Sequence, residues 1–222
     1  MRENKIYGLI GKNIDYSFSK NFFSKKFKNE NINCKYLNFD IQNILEFKSI
    51  IADKNIGGLN VTIPYKEDVI KYIDKISNDA KSIGAVNTIK ISNEKLTGYN
   101  TDHIGFSKTI KKIDGFKNIE SALILGSGGA SKAIQFALEK MNIKFTIVSR
   151  SNSIECINYD QVSEKIIKNH KLIINCTPLG TFPDVEQSPE IEYRFLSPFN
   201  ILYDLVYNPE PVSYTHLRAH ET

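Results

Sequence analysis

Long hydrophobic runs are the first absence. No stretch approaches the roughly 20 apolar residues that span a bilayer, and the leading MRENKIYGLIGKN lacks the apolar segment and cleavage site of a secretory signal. A cytoplasmic protein with no membrane association is expected. Cysteine is scarce: Cys34, Cys156 and Cys176 lie far apart, without metal-ligand spacing, so thiols in a reducing compartment are expected and metal is not. Concentrated charge is also missing. The net charge of +4 comes from lysines dispersed among asparagines and isoleucines, with no basic run or aromatic ladder, which counts against a nucleic-acid partner and suits a small anionic one. What is present, 222 residues with 41% hydrophobic and 24% charged content, is ordinary globular composition, enough for one large or two modest domains.

The stretch over residues 122–151, ALILGSGGASKAIQFALEKMNIKFTIVSRS, organises the second half. Residues 122–125 form a short apolar run that stops at Gly126. Residues 130–141 then take helical spacing, with Ala133, Ala137 and Leu138 on one side, and residues 145–148 form a second apolar run. The unit reads as strand, glycine turn, helix and parallel strand. Gly126, Ser127, Gly128, Gly129 and Ala130 occupy the handover, where backbone N–H groups approach a phosphate and the helix dipole favours its charge. The spacing departs from the commonest dinucleotide fingerprint: Ser131 stands at the third glycine position, preceded by the Gly128–Gly129 pair. At the end of the second run an NAD site usually places a carboxylate for the ribose hydroxyls, but here stand Ser149, Arg150 and Ser151. A guanidinium with hydroxyl neighbours favours a 2′-phosphate, hence NADP over NAD.

In the first half, residues 5–11 read as a strand, followed by Ser17 and Ser19 at the approach to a helix carrying Phe22, Phe23 and Phe27. Either serine alone is read first as a helix cap; the two together can also bind a carboxylate. Residues 34–39 read as a strand, 44–52 as an amphipathic helix, and 56–63 as a strand ending at Pro64, with Asn60 and Thr62 on one face and Val61 and Ile63 on the other. A helix is expected to begin near Lys66. Residues 77–83 form a short helix closed by Gly84, residues 86–91 and 95–100 form strands across a turn, and a helix runs over 104–113 with Asp102 as candidate N-cap or functional carboxylate. After Ser151, residues 153–160 read as irregular, 161–169 as a surface helix, 172–176 as a third parallel strand and 200–206 as a further strand. Cys176 is read as a small core residue.

Seven blocks now resemble one family. Ser17-Phe18-Ser19, Gly58-Leu59-Asn60-Val61-Thr62-Ile63-Pro64-Tyr65-Lys66, Gly84-Ala85-Val86-Asn87-Thr88 and Gly98-Tyr99-Asn100-Thr101-Asp102 are followed by Gly126-Ser127-Gly128-Gly129-Ala130-Ser131, Asn175-Cys176-Thr177-Pro178-Leu179-Gly180 and Tyr203-Asp204-Leu205-Val206-Tyr207-Asn208-Pro209. In this order the chain resembles the shikimate dehydrogenases. The resemblance implies an α/β protein of two domains: a substrate-binding catalytic domain over 1–103 and a Rossmann NADP-binding domain over 104–211, with the active site in the cleft between them. It implies reversible reduction of 3-dehydroshikimate to shikimate with NADPH, a step towards chorismate and aromatic amino acids, by a monomer or homodimer. On this resemblance Ser17, Ser19, Asn60, Thr62, Asn87 and Tyr207 bind substrate, and Lys66 is the catalytic acid/base paired with Asp102. Gly126, Ser127, Gly128, Gly129, Ala130, Ser149, Arg150, Ser151, Thr177 and Leu205 face the cofactor. At about 4 Å, a Lys66–Asp102 pair is worth on the order of 4 kcal/mol at an effective dielectric near 20, before desolvation.

Past Pro211 the family pattern breaks. Residues 212–222, VSYTHLRAHET, lack the family's closing helices and substrate-binding glutamine, and are expected to be a truncation or a foreign junction. The alternatives are an NAD-using quinate/shikimate dehydrogenase, which Arg150 opposes, and a catalytically impaired NADP-binding fragment.

Overall fold

The computed structural model describes residues 4–15, 17–151 and 154–207. The expected tail at 212–222 lies outside the described residues. The chain divides into two compact units, Met1–Asp102 and His103–Thr222, each with its own sheet.

In the first unit, β1 (Lys5–Gly11), α1 (Phe18–Asn29), β2 (Cys34–Asp40), α2 (Phe47–Ile51), β3 (Ile56–Val61), β4 (Lys75–Ile76), α3 (Asn78–Ile83), β5 (Thr88–Ser92) and β6 (Lys95–Tyr99) follow in order. Strand order is β2-β1-β3-β5-β6-β4. The first three strands are parallel, β5 runs antiparallel to both β3 and β6, and β4 is parallel to β6. The core is built from Ile10, Phe47, Leu59, Val61, Val69, Val86 and Ile89, all buried, which is where alternation and helical spacing put the apolar side chains. Gly84 closes α3 at φ +71, a conformation that a side chain resists.

Four local expectations are corrected. The helix over 44–52 is a 3-10 turn, Ile44–Glu46, followed by the five-residue α2; Asn43 and Glu46 form a capping box that starts the tighter turn. The strand at 56–63 ends at Val61, and Ile63 is exposed rather than facing the core with it. No α-helix begins at Lys66; a 3-10 turn starts at Asp68. β5 begins at Thr88: Val86 N bonds to the Lys66 carbonyl, and only Asn87 before the strand keeps backbone bonds to Tyr99 and Val61.

α4 (Asp102–Ile110) leads into the second unit, which continues through β7 (Ser121–Leu125), α5 (Gly129–Lys140), β8 (Lys144–Val148), β9 (Cys156–Ile157), α6 (Glu164–Asn169), β10 (Leu172–Asn175) and β11 (Ile201–Asp204). All five strands are parallel in the order β11-β10-β7-β8-β9. β7 and β10, buried on both faces, read as unbroken apolar runs for that reason. This is the doubly wound order, whose switch lies between β7 and β10, so ligands are expected outside their carboxyl ends. Three readings change here. Residues 153–160 include the two-residue β9, the helix at 161–169 starts at Glu164, and the helix at 104–113 runs from Asp102 to Ile110. No helix among the described residues is long and apolar enough to cross a membrane.

Candidate functional site

In the first unit the chemistry collects around Asn87. Its backbone N–H donates to Tyr99 O at 3.0 Å and its carbonyl accepts from Val61 N at 2.8 Å, which ties it to the ends of β6 and β3. Its side-chain oxygen accepts from Thr101 N at 2.9 Å. A backbone N–H only donates, so the amide orientation is fixed and Nδ2 must face the other way. There it donates to Asp102 Oδ1 at 2.7 Å. The second oxygen, Oδ2, accepts from Lys66 Nζ at 2.7 Å.

The lysine side chain is 14% exposed and that of Asp102 34%. Lys66 is held by its backbone too, its carbonyl accepting from Val86 N at 2.7 Å. Asp102 is the first residue of α4 and both its oxygens are engaged, so capping is done instead by Asn100, whose Oδ1 accepts from Asp102 N at 3.0 Å. The bland capping role is thus displaced onto a neighbour. Such a pair can present an ammonium at a fixed point, with a carboxylate to orient it.

Asn60 joins this network through Thr88, whose hydroxyl lies 3.4 Å from Asn60 Nδ2 and 3.0 Å from Asn87 Oδ1. Thr62 lies at the end of β3, its N–H donating to Ile10 O and its carbonyl accepting from Tyr65 N. Ser17 caps α1, its Oγ accepting from Ser19 N at 3.2 Å, so its cap role is realised; Ser19 is half-buried in the first turn. The hydrogen bonds of the described residues bring Lys66, Asp102, Asn87 and Asn60 together, while those of Ser17, Ser19 and Thr62 do not join them.

In the second unit, Gly126 adopts φ +107 as β7 ends, and a Cβ there would meet Cys176 carbonyl carbon and Thr177 Cγ2 at 3.2 Å. Glycine is required by both conformation and space. Gly128 is the N-cap of α5, with no side-chain cap bond, no acidic residue in the first turn, and open space where a Cβ would stand. Those are the features of a backbone cradle for a phosphate. Ser131, fully buried, accepts from Gln135 Nε2 at 3.0 Å, so a small side chain fills the helix–sheet contact usually left to a third glycine. Ser127 and Ser149 hydroxyls meet at 2.8 Å, fastening the turn to the end of β8, and Ser149 Oγ also accepts from Ser151 N at 3.2 Å. Ser149 is buried in this role; Arg150 and Ser151 are exposed. Arg150 lies close enough to Tyr159 to oppose the burial that pushes that phenol's pKa up.

Two residues to which no role was assigned hold the other side of the switch. Asn175, fully buried at the end of β10, accepts from Thr177 N at 2.9 Å and Thr177 Oγ1 at 2.6 Å through Oδ1. Its Nδ2 donates to Asp204 Oδ1 at 3.1 Å and to Leu179 O at 3.3 Å. Asp204 also accepts from Val206 N at 2.8 Å, and burial pushes its carboxyl above the usual range. The signal available was a lone amide closing an otherwise apolar strand. Thr177 is therefore fixed in place, whereas Leu205 packs against the core of this unit and Tyr207 is exposed. Among the described residues no three His, Cys, Asp or Glu side chains are grouped to hold a metal.

A doubly wound sheet with a glycine turn at its switch, together with an α/β unit carrying a lysine–aspartate pair, defines a nucleotide-binding α/β dehydrogenase class. Residues 9–89 match the family model described as the shikimate dehydrogenase substrate binding domain. An NADP(+) shikimate dehydrogenase of Methanococcus maripaludis is 40% identical over 227 aligned residues, covering 95% of this chain and 81% of the relative. The crystal structure of shikimate dehydrogenase 1 from Peptoclostridium difficile superposes with a TM-score of 0.85 at 36% identity, covering 97% of this chain and 82% of that one. A shikimate dehydrogenase structure in complex with NADP+ gives 0.78 at 32% identity, covering 95% and 79%. The chain belongs to the shikimate dehydrogenase family.

Proposed function

We propose that this chain catalyses the reversible, NADPH-dependent reduction of 3-dehydroshikimate to shikimate on the route to aromatic amino acids. The observation that carries the reading is the Lys66–Asp102 pair, with its ammonium held at 2.7 Å and oriented through Asn87. Lys66 Nζ stabilises the negative charge that grows on the substrate oxygen and delivers the proton there. Asp102 holds the ammonium aimed. Asn60, Thr62, Asn87, Ser17, Ser19 and Tyr207 bind the substrate's hydroxyl and carboxylate groups, with Ser17 doing so from its cap position.

The glycine turn fits the pyrophosphate of NADP: Gly126 N–H is tied to the Val148 carbonyl at 2.8 Å and sets the bend, while Gly128 to Ala130 open α5 with no side-chain cap and no opposing carboxylate in its first turn. Arg150 and Ser151 hold the 2′-phosphate, Ser127 and Ser149 shape the turn, and Thr177 and Leu205 border the nicotinamide. When bound, that cofactor supplies the hydride. The domain roles follow, substrate over 1–103 and NADP over 104–211, in a soluble cytoplasmic enzyme. The test is NADPH absorbance after mixing the chain with shikimate and NADP+. Sustained production supports the reading; none, with NADPH binding intact, refutes it in favour of the impaired fragment. NAD+ as the better substrate favours the quinate-type alternative.

A further inference from the structure

The hydrogen bonds around Asn87 continue outward in one direction. Thr101 N fixes Asn87 Oδ1 as an acceptor, so the Thr88 hydroxyl, 3.0 Å away, must donate to it. That spends the only proton of Thr88, which can then only accept from Asn60, whose Nδ2 lies at 3.4 Å. With Nδ2 so committed, Asn60 Oδ1 faces Tyr36, and the phenol must donate to it at 2.8 Å. Tyr36 is 4% exposed, on β2, and its ring stacks on Phe23 at 4.7 Å and 15°. Its hydroxyl therefore sits at the buried end of a relay whose other end is the Lys66 ammonium.

We propose that Tyr36 and Thr88 are positioning residues of the dehydrogenase reaction: together they lock the Asn60 amide in the one orientation that presents a defined face to the substrate, and they hold a further donor on the oxygen of Asn87, whose amide Thr101 N already orients towards Asp102. The proposal rests on the reading of Asn60 and Asn87 as substrate ligands. Neither Tyr36 nor Thr88 touches the reacting atoms. Without the phenol, Asn60 is free to turn its oxygen to Thr88, and the Thr88 proton then leaves Asn87. The Asp102–Lys66 contact, at 2.7 Å, keeps its own geometry. The loss should therefore fall on substrate binding more than on turnover.

The experiment uses the full chain with Tyr36→Phe, which keeps the ring stack, and with Thr88→Val and Thr88→Ser. Side-chain amide resonances of Asn60 and Asn87 are followed by NMR, and KM and kcat are measured for shikimate and NADP+. Tyr36→Phe is expected to shift the Asn87 amide as well as that of Asn60, and to raise KM for shikimate about tenfold with kcat within about threefold and KM for NADP+ unchanged. Thr88→Val should reproduce this and Thr88→Ser restore it. A shift confined to Asn60, or equal losses for serine and valine at position 88, overturns the relay. A wild-type chain without activity refutes the assigned function instead, and the amide shifts still decide whether the relay exists.

Discussion

Replacing Lys66 by methionine removes the ammonium while keeping most of the stem that buries it. At 2.7 Å the pair's gross attraction is about 6 kcal/mol for an effective dielectric near 20. Little of that is net stability. Asp102 is 34% exposed and retains the Asn87 donor, so water can replace the lost partner, and a destabilisation of about 1–2 kcal/mol is expected. Catalysis should suffer far more. A positioned proton donor contributes roughly 10²–10⁴-fold, and the same group here also stabilises the developing oxyanion. Lys66→Met should therefore lower kcat by at least about 10³-fold. Turnover is read from NADPH absorbance with shikimate. Cofactor affinity is read from NADPH fluorescence in a chain without tryptophan, and should be unchanged. A kcat within about tenfold of wild type, in a folded variant that still binds NADPH, would show that the proton comes from elsewhere.

Gly126→Ala places a Cβ 3.2 Å from backbone at φ +107, so a loss of about 1–3 kcal/mol in a urea melt and weaker NADPH binding are expected. An unchanged melt would mean the turn relaxes freely. Arg150→Ala should weaken NADPH about tenfold or more in a fluorescence titration and leave NADH alone, since a charge-assisted contact to the 2′-phosphate is lost. Equal effects on both cofactors would place the guanidinium elsewhere. Asp204 binds its proton more tightly folded than unfolded, so its ionised form opposes folding above the ordinary carboxylate range, and this handicap is released as pH falls through the raised value. Asp204→Asn keeps an acceptor for Asn175 and Val206. In urea melts its stability relative to wild type should therefore be more favourable at about pH 7 than at about pH 4, near the ordinary carboxylate value. A pH-independent difference would contradict this.

The regular elements were legible because apolar periodicity reports burial directly: the apolar runs of β7, β8 and β10, and the Ala133, Ala137, Leu138 stripe of α5, stand out in the sequence alone. Element ends were less so. Ile63 is apolar and continues an alternating pattern, yet the strand stops at Val61 because Thr62 turns its carbonyl to Tyr65 N. The two-residue β9 carries too few positions for any period to register.

The sequence by itself determined the residue types that the chemistry needs: a lysine and an aspartate, a glycine turn before a helix, and a guanidinium where NAD sites keep a carboxylate. Tertiary structure alone decided which groups meet. Residues 36, 60 and 88 are far apart along the chain, and only the β2-β1-β3-β5 order brings their side chains within hydrogen-bond reach. The same holds for Asn175 and Asp204, paired through the register of β10 with β11. Periodicity encodes which face is buried; it carries no information about which distant polar group waits on that face, because a hydrogen bond is set by geometry in three dimensions.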